Sequence, residues 1–140
     1  MLPFVTLPKV PKQSTELDSR WLYETMRDIS NQFGPVRVVV EKAQKFSPGV
    51  LALCSMWNVY GQLVMCISGV LQLPLVPIPP QQWQKVMLRG MFADTKTNSI
   101  ARAKQLFPAV CLRKSLRCTT DCDGMADALL IATYSKQTNL

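Results

Sequence analysis

Two aspartates one helical turn apart are the residues of this chain best suited to chemistry. Asp123 and Asp127 lie in the otherwise apolar run DGMADALLIA, and helical periodicity places them on one face. A buried carboxylate is unfavourable unless a positive group meets it. A third acid, Glu41, follows the sequence VRVVV, which predicts a central β-strand buried on both of its faces. Acids at a strand end and on a late helix, in a basic protein, indicate a divalent-metal site that acts on phosphates.

Each of these acids also has a purely structural interpretation. Asp123 precedes Gly124 and is typical of a helix cap. Glu41 is equally compatible with a surface acid that follows an edge strand. A surface position for Asp127 fits less well, because its neighbours are apolar on both sides.

The charge of the chain favours a polyanionic partner. Its 140 residues are 48% hydrophobic and 18% charged, which predicts one folded domain over residues 1–140. The formal net charge is +7, which favours nucleic acid or an anionic membrane, although a solvated basic surface is the alternative. Between residues 85 and 117 a single acid, Asp94, stands among eight basic residues. These are Lys85, Arg89, Lys96, Arg102, Lys104, Arg113, Lys114 and Arg117.

The cysteines and the absence of histidine exclude several kinds of site. Without histidine the chain has no Ser-His or Cys-His nucleophilic machinery. Cys118 and Cys122 lack a second pair at ligand spacing, which argues against zinc. The odd number of cysteines, five in all, and their apolar neighbours predict reduced, mostly buried thiols.

A long uncharged stretch covers residues 46–84. Polar residues interrupt its apolar run and prolines break its end. We therefore predict a buried core helix over residues 50–71 and a buried strand, with no membrane partner. A membrane span through residues 50–71 is the alternative, because about 20 apolar residues suffice to cross a bilayer.

The predicted elements must bring the acids together. They are, in chain order, an extended lead-in over 2–13, a helix that starts at 14–18 and ends near 32, a strand over 36–40, a loop over 42–49, a helix over 50–71, a strand over 74–78, and helices over 80–88, 94–106 and 123–134. Thr95 or Thr97 is the expected cap of the helix over 94–106. This order is α/β, with a mixed or parallel sheet flanked by helices.

Several motifs in this order resemble those of RuvC-like Holliday-junction resolvases, the plant monokaryotic-chloroplast resolvases most closely. Together they span nearly the whole chain. The motifs are VVVE followed by Gln44, the pair Tyr60-Gly61, the proline-rich LPLVPIPP, the triplet WQK, Thr95-Lys96 with Ser99, the segment up to Phe107-Pro108, and DGMADALLIA.

The resemblance implies a ribonuclease-H-like fold and a crossover junction endodeoxyribonuclease. That family cuts four-way DNA junctions as a homodimer with Mg²⁺ or Mn²⁺, in recombination and repair. Glu41 matches its second catalytic acid, Asp127 matches an acid of the last helix, and Asp123 matches the partner one turn earlier. These three residues are therefore the expected catalytic and metal-binding residues.

The same resemblance implies that this chain is N-terminally truncated. Nothing in it matches the family's first catalytic aspartate, which lies on an opening strand, and residues 2–8 resemble the segment after the first hairpin. A catalytically impaired module that binds junctions or other nucleic acid is therefore the alternative function. The expected location is the chloroplast, with mitochondrion or cytoplasm as alternatives.

Basic and aromatic residues complete the predicted DNA interface. The expected phosphate-binding residues are Lys85, Lys96, Arg113, Lys114 and Arg117. As an alternative, each of these is a plain surface residue. The aromatic residues Trp57, Tyr60 and Trp83 are expected to pack in the core, with stacking on bases as the alternative.

Overall fold

The computed structural model describes residues 17–45, 49–115 and 117–140. Contacts divide these described residues into two compact units, one ending at Pro79 and the other beginning at Pro80. The predicted lead-in over residues 2–13 lies outside the described residues, as does part of the loop over 42–49. The prediction of one domain over residues 1–140 stays a prediction.

Helix α1, Ser19–Phe33, opens the described part of the first unit. Asp18 caps it, since its Oδ1 accepts a hydrogen bond of 3.0 Å from the Trp21 backbone N–H. The helix ends at Gly34, whose φ of 77° suits a residue without Cβ. Leu22 and Met26 are buried in one cluster with Cys66 and Ile67. The predicted helix is confirmed, and it buries one apolar face.

A two-stranded parallel sheet lies in the first unit. Strand β1, Val38–Glu41, pairs with β2, Leu75–Ile78, in the register that places Glu41 opposite Ile78. The predicted α/β order is confirmed, and both described strands run parallel. Burial of β1 on both faces was a wrong expectation, because every residue of the strand is only half-buried. Within the described residues β1 has one neighbouring strand, so its side chains are covered incompletely.

Helix α2, Val50–Val64, continues without a break into wider π-helical turns over Met65–Val70. The prediction of a buried core helix is wrong for most of this length. No residue of α2 itself is buried, and the side chain of Leu51 is 87% exposed. Cys66 and Ile67, in the continuation, are buried in the core of the unit, and Leu63 of α2 packs against them while partly exposed. Apolar composition indicates that burial of a helix surface is favourable, but it does not show which part of the protein or which partner covers that surface.

The same 21-residue helix, Val50–Val70, is long and apolar enough to cross a membrane. A stretch of 18 residues within it has a mean hydropathy of 1.6, and 11% of that stretch is buried. Length and composition alone support this possibility, and core helices of soluble proteins share them. The prediction of no membrane partner therefore stays a prediction.

The second unit is helical. It contains α3, Pro80–Met87, α4, Thr95–Leu106, and α5, Asp123–Thr138. Asp94, rather than Thr95 or Thr97, caps α4, because its carboxylate accepts from the backbone N–H and the hydroxyl of Thr97 at 3.2 and 2.6 Å. These bonds, the hydroxyl first, lower the pKa of Asp94. An aspartate one residue earlier reaches the free N–H groups that the threonines were expected to satisfy.

The core of the second unit forms where α4 and α3 pack against α5. Trp83, Leu130 and Ala126 are completely buried. Gln82 Nε2 donates a 3.0 Å hydrogen bond to the hydroxyl of Tyr134, which ties α3 to α5. This packing fixes the face of α5 that carries the two aspartates.

Candidate functional site

The two aspartates lie at the first turn of α5, on the helix that packs against α4. Asp123 is the first residue of α5 and Asp127 follows one turn later, so the predicted shared face is present. The N-cap is Cys122, which makes no side-chain capping bond. The alternative interpretation of Asp123 as the helix cap is therefore wrong. Its charge instead lies where the helix dipole favours an anion.

Lys96 of α4 approaches this acid pair. Its Nζ lies 3.5 Å from Oδ2 of Asp123, and the two side chains are 79% and 40% exposed. An exposed ion pair of this kind contributes little to stability. The ion pair matters for the site because it holds the Lys96 ammonium group beside the two acids. A phosphate oxygen bound near those acids would lie within reach of this positive charge.

Asp127 is half-buried, and its Oδ1 is shielded from water without a hydrogen-bond partner among the described residues. Burial raises the pKa of Asp127. The Ser99 hydroxyl opposes this shift, the Asp123 carboxylate adds to it, and Lys96 opposes it in turn. A shielded carboxylate oxygen beside a second carboxylate is the arrangement that a divalent cation stabilises.

The raised pKa gives a testable stability effect. Below its ordinary value of 3.8, Asp127 is protonated in both the folded and unfolded chain. As pH rises through the folded value, the carboxyl must ionise in a shielded place, so the folded state loses stability relative to the unfolded state. We expect Asp127→Asn to raise the melting temperature of the metal-free protein by a few degrees at pH 7, with the gain vanishing below about pH 4.

The measurement is thermal unfolding followed by circular dichroism in buffer with a chelator, from pH 3.5 to pH 7.5. Asp28→Asn is the matched control, because Asp28 is an exposed acid of α1 whose side chain is 67% exposed. A constant difference between wild type and Asp127→Asn over this pH range would contradict the expectation.

Glu41 is placed at the end of β1, in the first unit, and is half-buried. The acid pair belongs to the second unit. Within residues 17–45, 49–115 and 117–140, no group of three His, Cys, Asp or Glu side chains is arranged to hold a metal ion. The local donor set is thus a pair of carboxylates, which fits part of a Mg²⁺ or Mn²⁺ shell, since these ions take water and phosphate oxygens as further ligands.

The predicted phosphate-binding residues all belong to the second unit. Lys85 is exposed in the last turn of α3. Arg113 is exposed and forms an isolated antiparallel bridge with Asp121, and Lys114 and Arg117 are exposed close to it in sequence. These positions leave cationic side chains accessible to a polyanion.

Arg102 and Lys104 are held by contacts within the second unit. Arg102 donates to the backbone carbonyls of Met87 and Arg89 at 2.9 and 3.0 Å, which holds the end of α3 against α4. Lys104 forms an ion pair with Asp121. The number of basic residues in the sequence does not show which side chains are held by contacts within the fold and which are accessible to a ligand.

The three aromatic residues differ in how far they are buried. Trp83 is completely buried, as expected. Core packing was a wrong expectation for Trp57, which is 41% exposed and donates its indole N–H to the carbonyl of Gln44 at 3.1 Å. Tyr60 is half-buried and meets Trp57 edge to face, with ring centroids 5.6 Å apart.

None of the five cysteines, all of which lie in the described residues, forms a disulfide, in agreement with reduced thiols. The expectation of mostly buried thiols is wrong, because only Cys66 is buried and both Cys54 and Cys111 are exposed. Burial raises the pKa of Cys66. The backbone N–H and guanidinium of Arg113 lower the pKa of Cys111. Thiol exposure depends on tertiary packing, which the apolar neighbours in the sequence do not reveal.

Ser99 is the residue of this site that sequence reasoning missed as a functional residue. It is completely buried on α4, three residues after Lys96, and its hydroxyl affects the pKa of Asp127. The only sequence signal was its place beside Thr95-Lys96 in the motif. That signal does not tell which helix the hydroxyl faces.

Comparison with known proteins supports the fold. No protein-family model matches the chain, and no curated protein matches its sequence. The structure is similar to Thermus thermophilus RuvC in complex with a Holliday junction substrate, with a TM-score of 0.59 and 15% identity over 93% of this chain and 75% of that one. A second T. thermophilus RuvC structure gives a TM-score of 0.59 and 17% identity over 94% and 75%. The fold is thus RuvC-like, which confirms the predicted ribonuclease-H-like class.

Proposed function

We propose that this protein is a RuvC-type, structure-specific endonuclease that resolves four-way DNA junctions, and that residues 1–140 act as one nuclease domain. The observation that carries the proposal is the RuvC-like fold over 93% of the chain, found in a structure that holds a Holliday junction substrate. The motif resemblance supports a closer relation to the plant monokaryotic-chloroplast resolvases. That relation would place the protein in the chloroplast, which imaging of a fluorescent fusion tests.

In this proposal Asp123 and Asp127 are metal ligands for Mg²⁺ or Mn²⁺, and Glu41 is a further catalytic acid. The shielded Oδ1 of Asp127 and the adjacent Asp123 carboxylate support the assignment. A bound divalent cation supplies charge neutralisation at the scissile phosphate and an activated water. Lys96, beside Asp123, holds a phosphate oxygen of the substrate near the acids.

The basic surface of the second unit provides the remaining affinity. Lys85, Arg113, Lys114 and Arg117 contact backbone phosphates, so binding weakens steeply with salt. Such contacts position the DNA without reading its sequence. Preference for a branch must then come from the shape of the junction.

The test is competition between a four-way junction and a duplex of matched sequence and length in a gel-shift assay, with cleavage followed in Mg²⁺ and in Mn²⁺. We expect preferential binding of the junction and symmetric cuts near the branch point. Equal affinity for duplex and junction would overturn the proposed substrate class.

A second candidate is a junction-binding module with impaired catalysis. It is favoured by one observation, namely that the described residues bring no three potential metal ligands together. The cleavage assay in Mg²⁺ and Mn²⁺ distinguishes an active nuclease from a junction-binding module. Junction binding without any cutting in either metal would support the binding module.

We further propose that the protein forms a homodimer through the exposed apolar side chains of Val50–Val70. Val50, Leu51, Met65 and Val70 are 60% to 87% exposed on this helix, and exposed apolar side chains of this size favour association. We expect self-association in light scattering at micromolar concentration, and a shift of most of the protein to monomer in the double variant Leu51→Lys, Met65→Lys.

Phe92→Ser is the control for this prediction. Phe92 is 98% exposed but belongs to the second unit, so its removal should leave the association unchanged. A wild-type protein that is monomeric throughout would contradict the homodimer. Flotation of the wild-type protein with lipid vesicles, lost in the double variant, would favour the membrane alternative.

A further inference from the structure

Ser99 is buried without the contacts that normally accompany a buried hydroxyl. It is 0% exposed, on the same helix as the buried Ala103, where α4 packs against α5. Its Oγ has no hydrogen-bond partner within residues 17–45, 49–115 and 117–140. Its neighbour Asn98, also buried, is satisfied, because its Nδ2 donates to the carbonyl of Ala93 at 2.7 Å.

Other helical hydroxyls of this chain behave differently. Thr133 donates to the carbonyl of Leu129 at 2.7 Å, and Thr138 donates to that of Tyr134 at 2.8 Å. This bond to the carbonyl four residues earlier is the usual solution for a hydroxyl within a helix. Ser99 does not make it, although it lies in the middle of α4. An alanine would fill the same position without a shielded polar atom.

The group next to Ser99 is also incompletely satisfied. Oδ1 of Asp127 is shielded and has no partner among the residues described. Ser99 and Asp127 lie on the two helices that pack against each other, and both carry a shielded oxygen without a partner in the described part of the chain. The hydroxyl is also among the groups that lower the pKa of the Asp127 carboxyl. One turn earlier on each helix, Lys96 meets Asp123. Helix α4 therefore presents two donors, three residues apart, to the two acids of α5.

We propose that Ser99 is a positioning residue for the acid pair: in the cation-bound protein its hydroxyl donates a hydrogen bond to the Asp127 carboxylate and holds that carboxylate in one orientation. This inference rests on the proposed metal-binding role of Asp123 and Asp127. Groups that orient metal ligands commonly change metal affinity by one to two orders of magnitude when removed. Ser99 itself contacts neither the cation nor the substrate.

The experiment compares Mn²⁺ affinity, from the electron paramagnetic resonance signal of free Mn²⁺, with the melting temperature in chelator. We expect Ser99→Ala to weaken Mn²⁺ binding about tenfold while leaving the metal-free melting temperature unchanged or higher. Ser99→Thr, which keeps the hydroxyl, should restore binding. Ser99→Cys, which keeps the volume but is a weak donor, should weaken Mn²⁺ binding as Ser99→Ala does. It replaces the alanine variant in the experiment if that variant fails to fold.

Ser135→Ala is the matched control, since Ser135 is a buried serine on α5 whose Oγ donates to the Leu140 carbonyl. It should lower the melting temperature and leave Mn²⁺ affinity unchanged. Wild-type affinity in Ser99→Ala, with binding lost in Asp127→Asn, would overturn the Ser99 inference alone. A wild-type protein that does not bind Mn²⁺, or an Asp127→Asn variant that binds it equally well, would overturn the proposed metal site and this inference with it.

Discussion

Replacing Asp127 with asparagine is expected to weaken Mn²⁺ binding at least tenfold and to slow junction cleavage by at least about 100-fold, while junction affinity changes less than about twofold. The carboxamide has nearly the same shape but lacks the negative charge that a divalent cation requires. Catalytic groups that act as a unit lose most of their effect when one is removed. DNA affinity should persist, because the proposed phosphate contacts are made by cations on the surface of the second unit.

The measurements are Mn²⁺ titration, single-turnover cleavage of a labelled four-way junction, and gel shift in buffer with a chelator. Asp28→Asn removes the same charge from an exposed site on α1 and should leave all three unchanged. Glu41→Gln and Asp123→Asn should also lose cleavage, since both belong to the proposed acid set. Cleavage within tenfold of wild type in Asp127→Asn would show that the metal site lies elsewhere.

The same variant has opposite effects on stability and on function. Without metal, Asp127→Asn should stabilise the fold at neutral pH, because burial disfavours the ionised carboxylate. A residue whose removal stabilises the fold but abolishes metal binding is typical of a functional site, where local strain is maintained for chemistry. A merely structural aspartate would lose stability when replaced.

Much of this site was predictable from local sequence. The spacing of Asp123 and Asp127 fixed their common helix face, and the apolar neighbours of Asp127 indicated partial burial, both of which the structure has. Glu41 was expected at a strand end and lies there. These predictions succeed because they depend on periodicity within one element.

The remaining features depend on contacts between elements. The burial of Ser99 follows from α4 packing against α5, which no pattern within α4 specifies. The exposure of Leu51 was missed because an uncharged helix looks the same whether the surrounding protein covers it or not. The internal use of Arg102 depends on two backbone carbonyls near the end of α3. Sequence therefore predicted which residues are chemically suited, and packing decided which ones are placed to act.

Single substitutions of the basic residues should separate DNA-binding cations from structural ones. We expect Arg113→Ala and Arg117→Ala each to weaken junction binding several-fold at low salt and to reduce the slope of log affinity against log salt by about 0.9. Each change would remove one of the proposed phosphate contacts, so a combined Arg113→Ala, Lys114→Ala, Arg117→Ala variant should lower the slope by about 2 to 3. The folded structure should be little affected, because these side chains are exposed.

Arg102→Ala is the informative control, because it removes the same charge from the same unit. Its guanidinium already donates to the carbonyls of Met87 and Arg89 and to Oε1 of Gln105. We expect it to lower the melting temperature and to leave the salt slope unchanged, since the number of phosphates neutralised does not change. Fluorescence anisotropy of a labelled junction from 50 to about 300 mM salt measures the slope. If Arg102→Ala reduced the slope as much as Arg113→Ala, affinity would follow net charge alone, and the assignment of Arg113, Lys114 and Arg117 as the phosphate-binding surface would be wrong.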